Sequence, residues 1–210
     1  MHYRPADGHG LPHDPFKAIV SPRPIGWISS ADAAGRVNLA PYSFFNAIAD
    51  NPPMVMFCAT GRKNGLDEIK DSVVNIEATG EFVVNIVPYA LREAMNLSSG
   101  GFAAGEDEFE IAGLEKAASL EIMPPRVAAA PAALECILHE IVSLPDGHDG
   151  TPNRMVIGRV VAVHIRDEYL VDGLLDVTRY IPLTRCGYKD YSAAREVFQM
   201  TRPKGGDRNK

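Results

Sequence analysis

The chain has 210 residues, 46% hydrophobic and 23% charged, the balance of one ordinary globular domain, which excludes wholesale disorder and a coiled coil. Its net charge of -6 argues against general nucleic-acid binding, which needs a basic face, but is compatible with a local anion site. No apolar run reaches the roughly 18 residues of a membrane span, and the opening MHYRPADGHGLPHDP lacks an apolar core, so neither a transmembrane helix nor a secretory signal is expected. Cys58, Cys136 and Cys186 are odd in number and far apart, without a CxxC; free thiols in a reducing cytoplasm are the expectation.

Residues 1–14 read as a loose arm and residues 204–210 as a solvated tail, with one domain over 15–203 between them. Residues 18–20 and 26–30 read as strand pieces, separated by Ser21-Pro22-Arg23-Pro24, whose prolines enforce extended backbone. Residues 32–36 are a turn, after which residues 37–40 complete a hairpin. Residues 42–49 suit a strand or one helical turn. Asn51-Pro52-Pro53 breaks the chain, and MVMFCA at 54–59 has the near-continuous apolarity of a buried strand.

Residues 61–65 form a basic loop. Asp71 or Ser72 is placed to cap a helix ending at Thr79, with Gly80 just beyond it. EFVVNIV at 81–87 is a second buried strand, and Pro88 stands where a helix to Leu97 would begin. A glycine-rich loop spans 98–105. Residues 134–144 and 155–165, joined by the turn at 145–150, read as a long hairpin, and residues 176–203 carry no clear pattern. Strands outnumber helices and pair locally, so the expected fold is mainly β, an antiparallel barrel with a few short helices.

Familiar catalytic signatures are missing. No GxGxxG follows a strand, and there is no Walker A loop or GxSxG elbow. Three of the six histidines lie in the arm, and His139 and His164 lie in strand-like stretches, so no metal site is expected. Two features carry chemistry. Ser29, Ser30, Asn38, Ser43 and Asn46 are small polar residues on otherwise apolar strands, suited to the edge of a flat heterocycle, although each taken singly fits a solvent-facing position better. Arg62, Lys63, Lys70 and Ser72 surround a loop-to-helix connection, the arrangement of a phosphate site or of a capped surface helix.

PRPIGWISS, NLAPYSFFNAIADNPPMVMF and KDSVVNIEATGEFVVNIV, in that order, resemble the flavin reductase-like FMN-binding split-barrel family, a group that includes the flavin reductase component of nitrilotriacetate monooxygenase. MNLSSGGFAAGEDEFEIAGL, PPRVAAAPAALEC and MVIGRVVAVHI extend the resemblance over residues 16–191. It implies a homodimeric split β-barrel that binds FMN near the dimer interface, with NADH or NADPH as electron donor. By the same resemblance, Trp27, Ser29 and Ser30 stand beside the flavin ring, and Asn38, Leu39, Ala40, Pro41 and Ser43 form the segment that reaches it. Cys58, Ala59 and Thr60 lie near the ring and ribityl chain, and Arg62, Lys70, Asp71 and Ser72 form the phosphate region. Ser72 replaces the family's usual threonine and keeps its hydroxyl. No catalytic side chain is implied, because hydride transfer belongs to the two cofactors. Tyr188 and Tyr191 either cover the flavin or pack across a dimer. The implied activity is an NAD(P)H-dependent flavin reductase supplying a monooxygenase. The alternatives are an FMN-containing electron-transfer protein and a non-catalytic FMN-binding protein.

Overall fold

The computed structural model describes residues 1–63 and 65–203. Asn64 of the expected basic loop, and the expected tail at 204–210, lie outside the described residues. Seven antiparallel strands form the main sheet: β1 (Gly26–Ala31), β2 (Val37–Tyr42), β3 (Phe45–Asp50), β4 (Pro53–Thr60), β5 (Glu81–Ile86), β6 (Ala132–Leu144) and β7 (Asn153–Ile165). Their order is β2-β1-β5-β6-β7-β4-β3. The fold is a split β-barrel with a few short helices.

Hairpin partners are adjacent, as in β1–β2, β3–β4 and β6–β7. The pairs that close the sheet, β1–β5, β5–β6 and β4–β7, join distant segments, so pairing is not purely local. Gly158 on β7 permits one close approach: a Cβ there would lie 2.3 Å from Phe82 Cζ of β5. Of residues 42–49, Tyr42 ends β2 and 45–49 belong to strand β3 rather than to a helical turn, because residues 45–50 pair with β4.

One core fills the barrel, with Ile28, Phe57, Phe82, Val84 and Val156 packed beneath α2 (Asp71–Thr79). A second lies on the other face, around Trp27, Leu39, Met95 and Phe109. β1 is therefore buried on both faces, which explains why serines interrupt it without marking a solvent side.

Three local expectations are corrected. Residues 18–20 are not a strand piece; α1 (Phe16–Ile19) is a single turn whose Ala18 and Ile19 amides both donate to the Pro15 carbonyl at 2.9 Å. Neither Asp71 nor Ser72 caps α2. Lys70 occupies the cap position, because Asp71 is drawn to Lys63 (2.8 Å) and the Ser72 hydroxyl to Asn38. Pro88 does not open a helix; it is extended and precedes a 3-10 turn (Tyr89–Leu91) that leads into α3 (Arg92–Leu97). Gly80 ends α2 as expected, in the left-handed conformation at φ 75°, its amide bonding Ile76 O at 2.8 Å.

Beyond these lie α4 (Glu108–Ile111) and α5 (Val177–Tyr180). A small sheet, Arg23–Pro24 with Leu183–Arg185 and Tyr191–Ala193, brings the end of the chain back beside its beginning. None of the described helices is long and apolar enough to cross a membrane.

Candidate functional site

The edge strand β2 builds the site. The Leu39 amide donates to the Glu108 carboxylate at 2.9 Å rather than to a neighbouring strand, so residue 39 presents its N–H outward. Pro41, two residues on, occupies the same outward side and has no N–H to lose, which is why an edge strand tolerates it. Against this edge come the start of α2, the loop after α3, and α4. They enclose a hollow of about 90 Å3 bordered by Asn38, Tyr42, Lys70, Ser72, Phe102 and Glu108. A second hollow, of about 210 Å3, adjoins it and shares Pro41, Tyr42 and Lys70.

At the α2 terminus the Lys70 carbonyl accepts from the Val73 and Val74 amides at 3.0 and 3.3 Å. The Asp71 and Ser72 amides have no partner within the helix, the usual condition of a helix N-terminus and a favourable one for anions. Asn38 donates to the Ser72 hydroxyl at 2.9 Å, fixing it at the cavity wall.

The nearby cations differ sharply. Lys63 is neutralised by Glu68 (2.9 Å) and Asp71 (2.8 Å), and Arg62 by Asp67 (3.0 Å). Lys70 has no carboxylate partner among the described residues; its Nζ lies 5.4 Å from the centre of the Tyr42 ring. Burial first, and the charge of Lys17 second, lower its pKa. The Tyr42 hydroxyl is likewise buried without a hydrogen bond of normal geometry, and burial pushes its pKa up.

The residues singled out in the sequence divide into two groups. Asn38, Ala40, Pro41, Ser43, Cys58, Thr60, Lys63, Lys70, Asp71, Ser72 and Tyr188 border the two hollows. The others do not. Trp27 Nε1 donates to Ser98 Oγ at 2.8 Å inside the second core. Ser29 donates to Pro125 O at 2.6 Å, and Ser30 accepts from Asn75 at 3.2 Å. The Leu39 and Ala59 side chains are buried in the cores, and Arg62 turns to Asp67. Cys58 borders the larger hollow, where burial pushes its thiol pKa up and disfavours a thiolate. Among the described residues no cluster of histidine, cysteine and carboxylates could hold a metal ion.

Sequence reading missed Tyr42 and Glu108 in the smaller hollow and Lys17, Arg23 and Arg185 in the larger. Tyr188 borders the larger hollow, whereas Tyr191 lies in a separate one beside Tyr89. Tyr42, Arg23 and Glu108 lie within quoted motifs, NLAPYSFF, PRPIGWISS and MNLSSGGFAAGEDEFEIAGL, whereas Lys17 and Arg185 lie outside them.

Glu108 is the unusual acid of the site. Burial first raises its pKa, to about 7, against the opposing Leu39 hydrogen bond and with further help from Asp71 and Asp107. The folded protein therefore holds a proton there that the unfolded chain has released above pH 4.5, so stability falls as pH rises from about 4.5 to 7. Discounted for solvent entering through the cavity mouth, the loss is about 1–2 kcal/mol. Glu108→Gln is expected to be more stable than wild type by that amount at pH 8 and nearly equal at pH 5, as read by denaturant melts. An equal gain at both values would mean that the carboxyl does not titrate there.

The family model described as flavin reductase like domain matches residues 20–182. A protein of Aquifex aeolicus is 35% identical over 177 residues, covering 84% of this chain and 86% of its own. The structure is similar to nitrilotriacetate monooxygenase component B from Bacillus cereus, with TM-score 0.84, 30% identity and coverage of 95% and 98% of the two chains. It is also similar to Pseudomonas fluorescens 2-nitrobenzoate 2-nitroreductase, with TM-score 0.82, 28% identity and 98% of each chain covered. With a family match spanning the main sheet and the whole of the smaller hollow, the chain belongs to the flavin reductase-like domain family and is a flavin oxidoreductase.

Proposed function

We propose that the protein is an NAD(P)H-dependent flavin reductase that binds FMN along the two hollows, with the phosphate at the start of α2. The observation that carries this reading is Lys70, a largely buried cation without a carboxylate partner among the described residues, beside the Ser72 hydroxyl and a helix N-terminus. The donor set fits a phosphate: Lys70 supplies charge, the first α2 amides supply N–H groups, and the orphaned Tyr42 hydroxyl gains a partner. FMN, when bound, supplies the two-electron acceptor for a nicotinamide hydride.

The chain's own work is then positioning. Lys70 and Ser72 anchor one end, and the outward edge of β2 with Pro41 and Ser43 sets the plane of the ring. Phe102 and the loop after α3 limit water at the phosphate end. Steady-state NADH and NADPH oxidation with and without added FMN tests the reading, followed by an anaerobic NADH titration. Tight FMN binding without reduction by either nucleotide would refute a reductase and favour a carrier.

The same reading includes a homodimer. It is supported by the exposed outer strand β3, with Ile48 about half exposed, and by exposed Val163 and Ile165 on β7. Light scattering at micromolar concentration is expected to give twice the chain mass; a stable folded monomer would contradict it.

A further inference from the structure

Two carboxyls border the smaller hollow, and they stand differently. Asp71 is held by Lys63 at 2.8 Å. Glu108 is only 5% exposed and forms no ion pair among the described residues. Its neighbours in sequence fix where it sits. Phe109 is fully buried in the second core beside Leu39. Asp107 caps α4 by accepting the Phe109 amide at 3.0 Å, and it pairs with Lys116. Glu108 is thereby laid on the edge of β2, where its Oε2 accepts the Leu39 amide at 2.9 Å.

The same hollow, of about 90 Å3, is bordered by Lys70 and the Ser72 hydroxyl at the start of α2, the donors suited to a phosphate. A phosphate monoester carries about 1.5–2 negative charges at neutral pH. An ionised carboxylate accepts hydrogen bonds and donates none. Ionised Glu108 therefore opposes a phosphate in a confined space, where charges are poorly screened. Protonated Glu108 does the reverse: one oxygen keeps the Leu39 bond, and the carboxyl gains an O–H donor.

The charges around this carboxyl do not relieve the conflict. Lys63 is taken up by Glu68 and Asp71, and Lys116 by Asp107. Lys70 borders the hollow but makes no ion pair with Glu108. The Tyr42 hydroxyl on β2 is neutral, its pKa pushed up by burial. Burial first, and then the charges of Asp71 and Asp107, outweigh the Leu39 hydrogen bond and bring the Glu108 carboxyl to about 7 before any ligand arrives. A proton is thus held there at little cost near neutral pH.

We propose that Glu108 is a ligand of the FMN phosphate in its protonated form, its O–H donating to a phosphate oxygen, so that FMN enters the smaller hollow together with a proton from solvent. The inference rests on the flavin reading and adds to it a proton requirement at the phosphate. The carboxylate takes its proton from water or buffer as FMN binds and returns it on release; no electrons move.

The test is a calorimetric titration of the full chain with FMN and with riboflavin, in two buffers of different ionisation enthalpy, which counts protons exchanged on binding. At pH 8 the free carboxyl is mostly ionised, so FMN is expected to bind with uptake of nearly one proton. At pH 5.5 the carboxyl is already protonated, and that uptake is expected to vanish. Because only the protonated fraction is competent, FMN affinity is expected to fall by about five- to tenfold between pH 6.5 and pH 8. Riboflavin, which has no phosphate, is expected to show neither effect. The amide of Glu108→Gln both accepts and donates without a proton from solvent. That variant is expected to bind FMN about as tightly at pH 8 as at pH 6.5, with no uptake. Lys70, whose pKa burial lowers, is the competing source of a titrating proton. Uptake at pH 8 that persists in Glu108→Gln would assign the proton to Lys70 and overturn the inference. FMN binding by the wild-type chain at pH 8 without uptake would overturn it too, with no variant needed, and would leave the flavin reading standing. Failure of FMN to bind at any of these pH values would end the flavin reading, and this inference with it.

Discussion

Lys70→Ala is expected to weaken FMN binding by roughly tenfold to a hundredfold and to leave riboflavin binding almost unchanged. A charge-assisted hydrogen bond to a phosphate contributes about 1.5–3 kcal/mol, and here no carboxylate among the described residues competes for the lysine. Arg62→Ala is the contrasting variant. Arg62 already pairs with Asp67 and borders neither hollow, so its loss is expected to cost at most a few-fold. Riboflavin lacks the phosphate and so reports on the ring site alone. Fluorescence quenching titrations with both ligands would read the difference. Equal loss of both would show that Lys70 supports the fold or the ring rather than the phosphate.

Glu135→Ala is expected to lower stability by about 3–5 kcal/mol, which for a domain of this size is a fall in Tm of roughly 10–15 °C. Glu135 lies on β6 with no solvent exposure. Its carboxylate accepts the Leu120 and Glu121 amides at 2.7 and 2.8 Å and meets His164 Nε2 at 2.5 Å. Those bonds clamp the 119–125 loop over a small core formed by Val83, Ile122 and Ala133. The same loop receives the Ser29 hydroxyl at Pro125 O, so the clamp also steadies β1. Removing the carboxylate strands two amide donors, at about 1–3 kcal/mol each.

Burial alone would raise the Glu135 pKa, but the two amides and His164 outweigh it and hold the carboxyl below its ordinary value. The stabilisation is therefore full above the unfolded carboxyl's pKa and is lost as pH falls through the depressed folded value. The gap in Tm between wild type and Glu135→Ala is expected to be wide at neutral pH and to narrow in strong acid. Thermal melts across that range would check it. A gap that stays constant with pH would show that packing, not the ionised carboxylate, is responsible.

Some of this was legible without coordinates. The apolar runs at 54–59 and 81–87 and the long hairpin depend on local alternation and turn chemistry, which one stretch of chain carries by itself. Gly80 was equally legible, because a left-handed helix end selects glycine whatever surrounds it. Family likeness, carried by motifs in a fixed order, pointed to Lys70 and Ser72.

The exceptions have a common cause. Ser29 and Ser30 resemble ligand-facing residues in sequence, yet β1 is buried on both faces and its hydroxyls are taken up by Pro125 and Asn75. Arg62 and Lys70 are equivalent as letters; only the approach of Asp67 to one, and the absence of a carboxylate beside the other among the described residues, sets them apart. Nothing beside Glu108 or Arg23 in the sequence marks either one, and burial, which makes them unusual, is a property of what packs around them. Local spacing determined the strands, the turns and the presence of cations near a helix start. Which charges remain unpaired, which polar groups are enclosed and which segments share a cavity were decided only by tertiary structure, because each depends on contacts between segments that the chain order keeps apart.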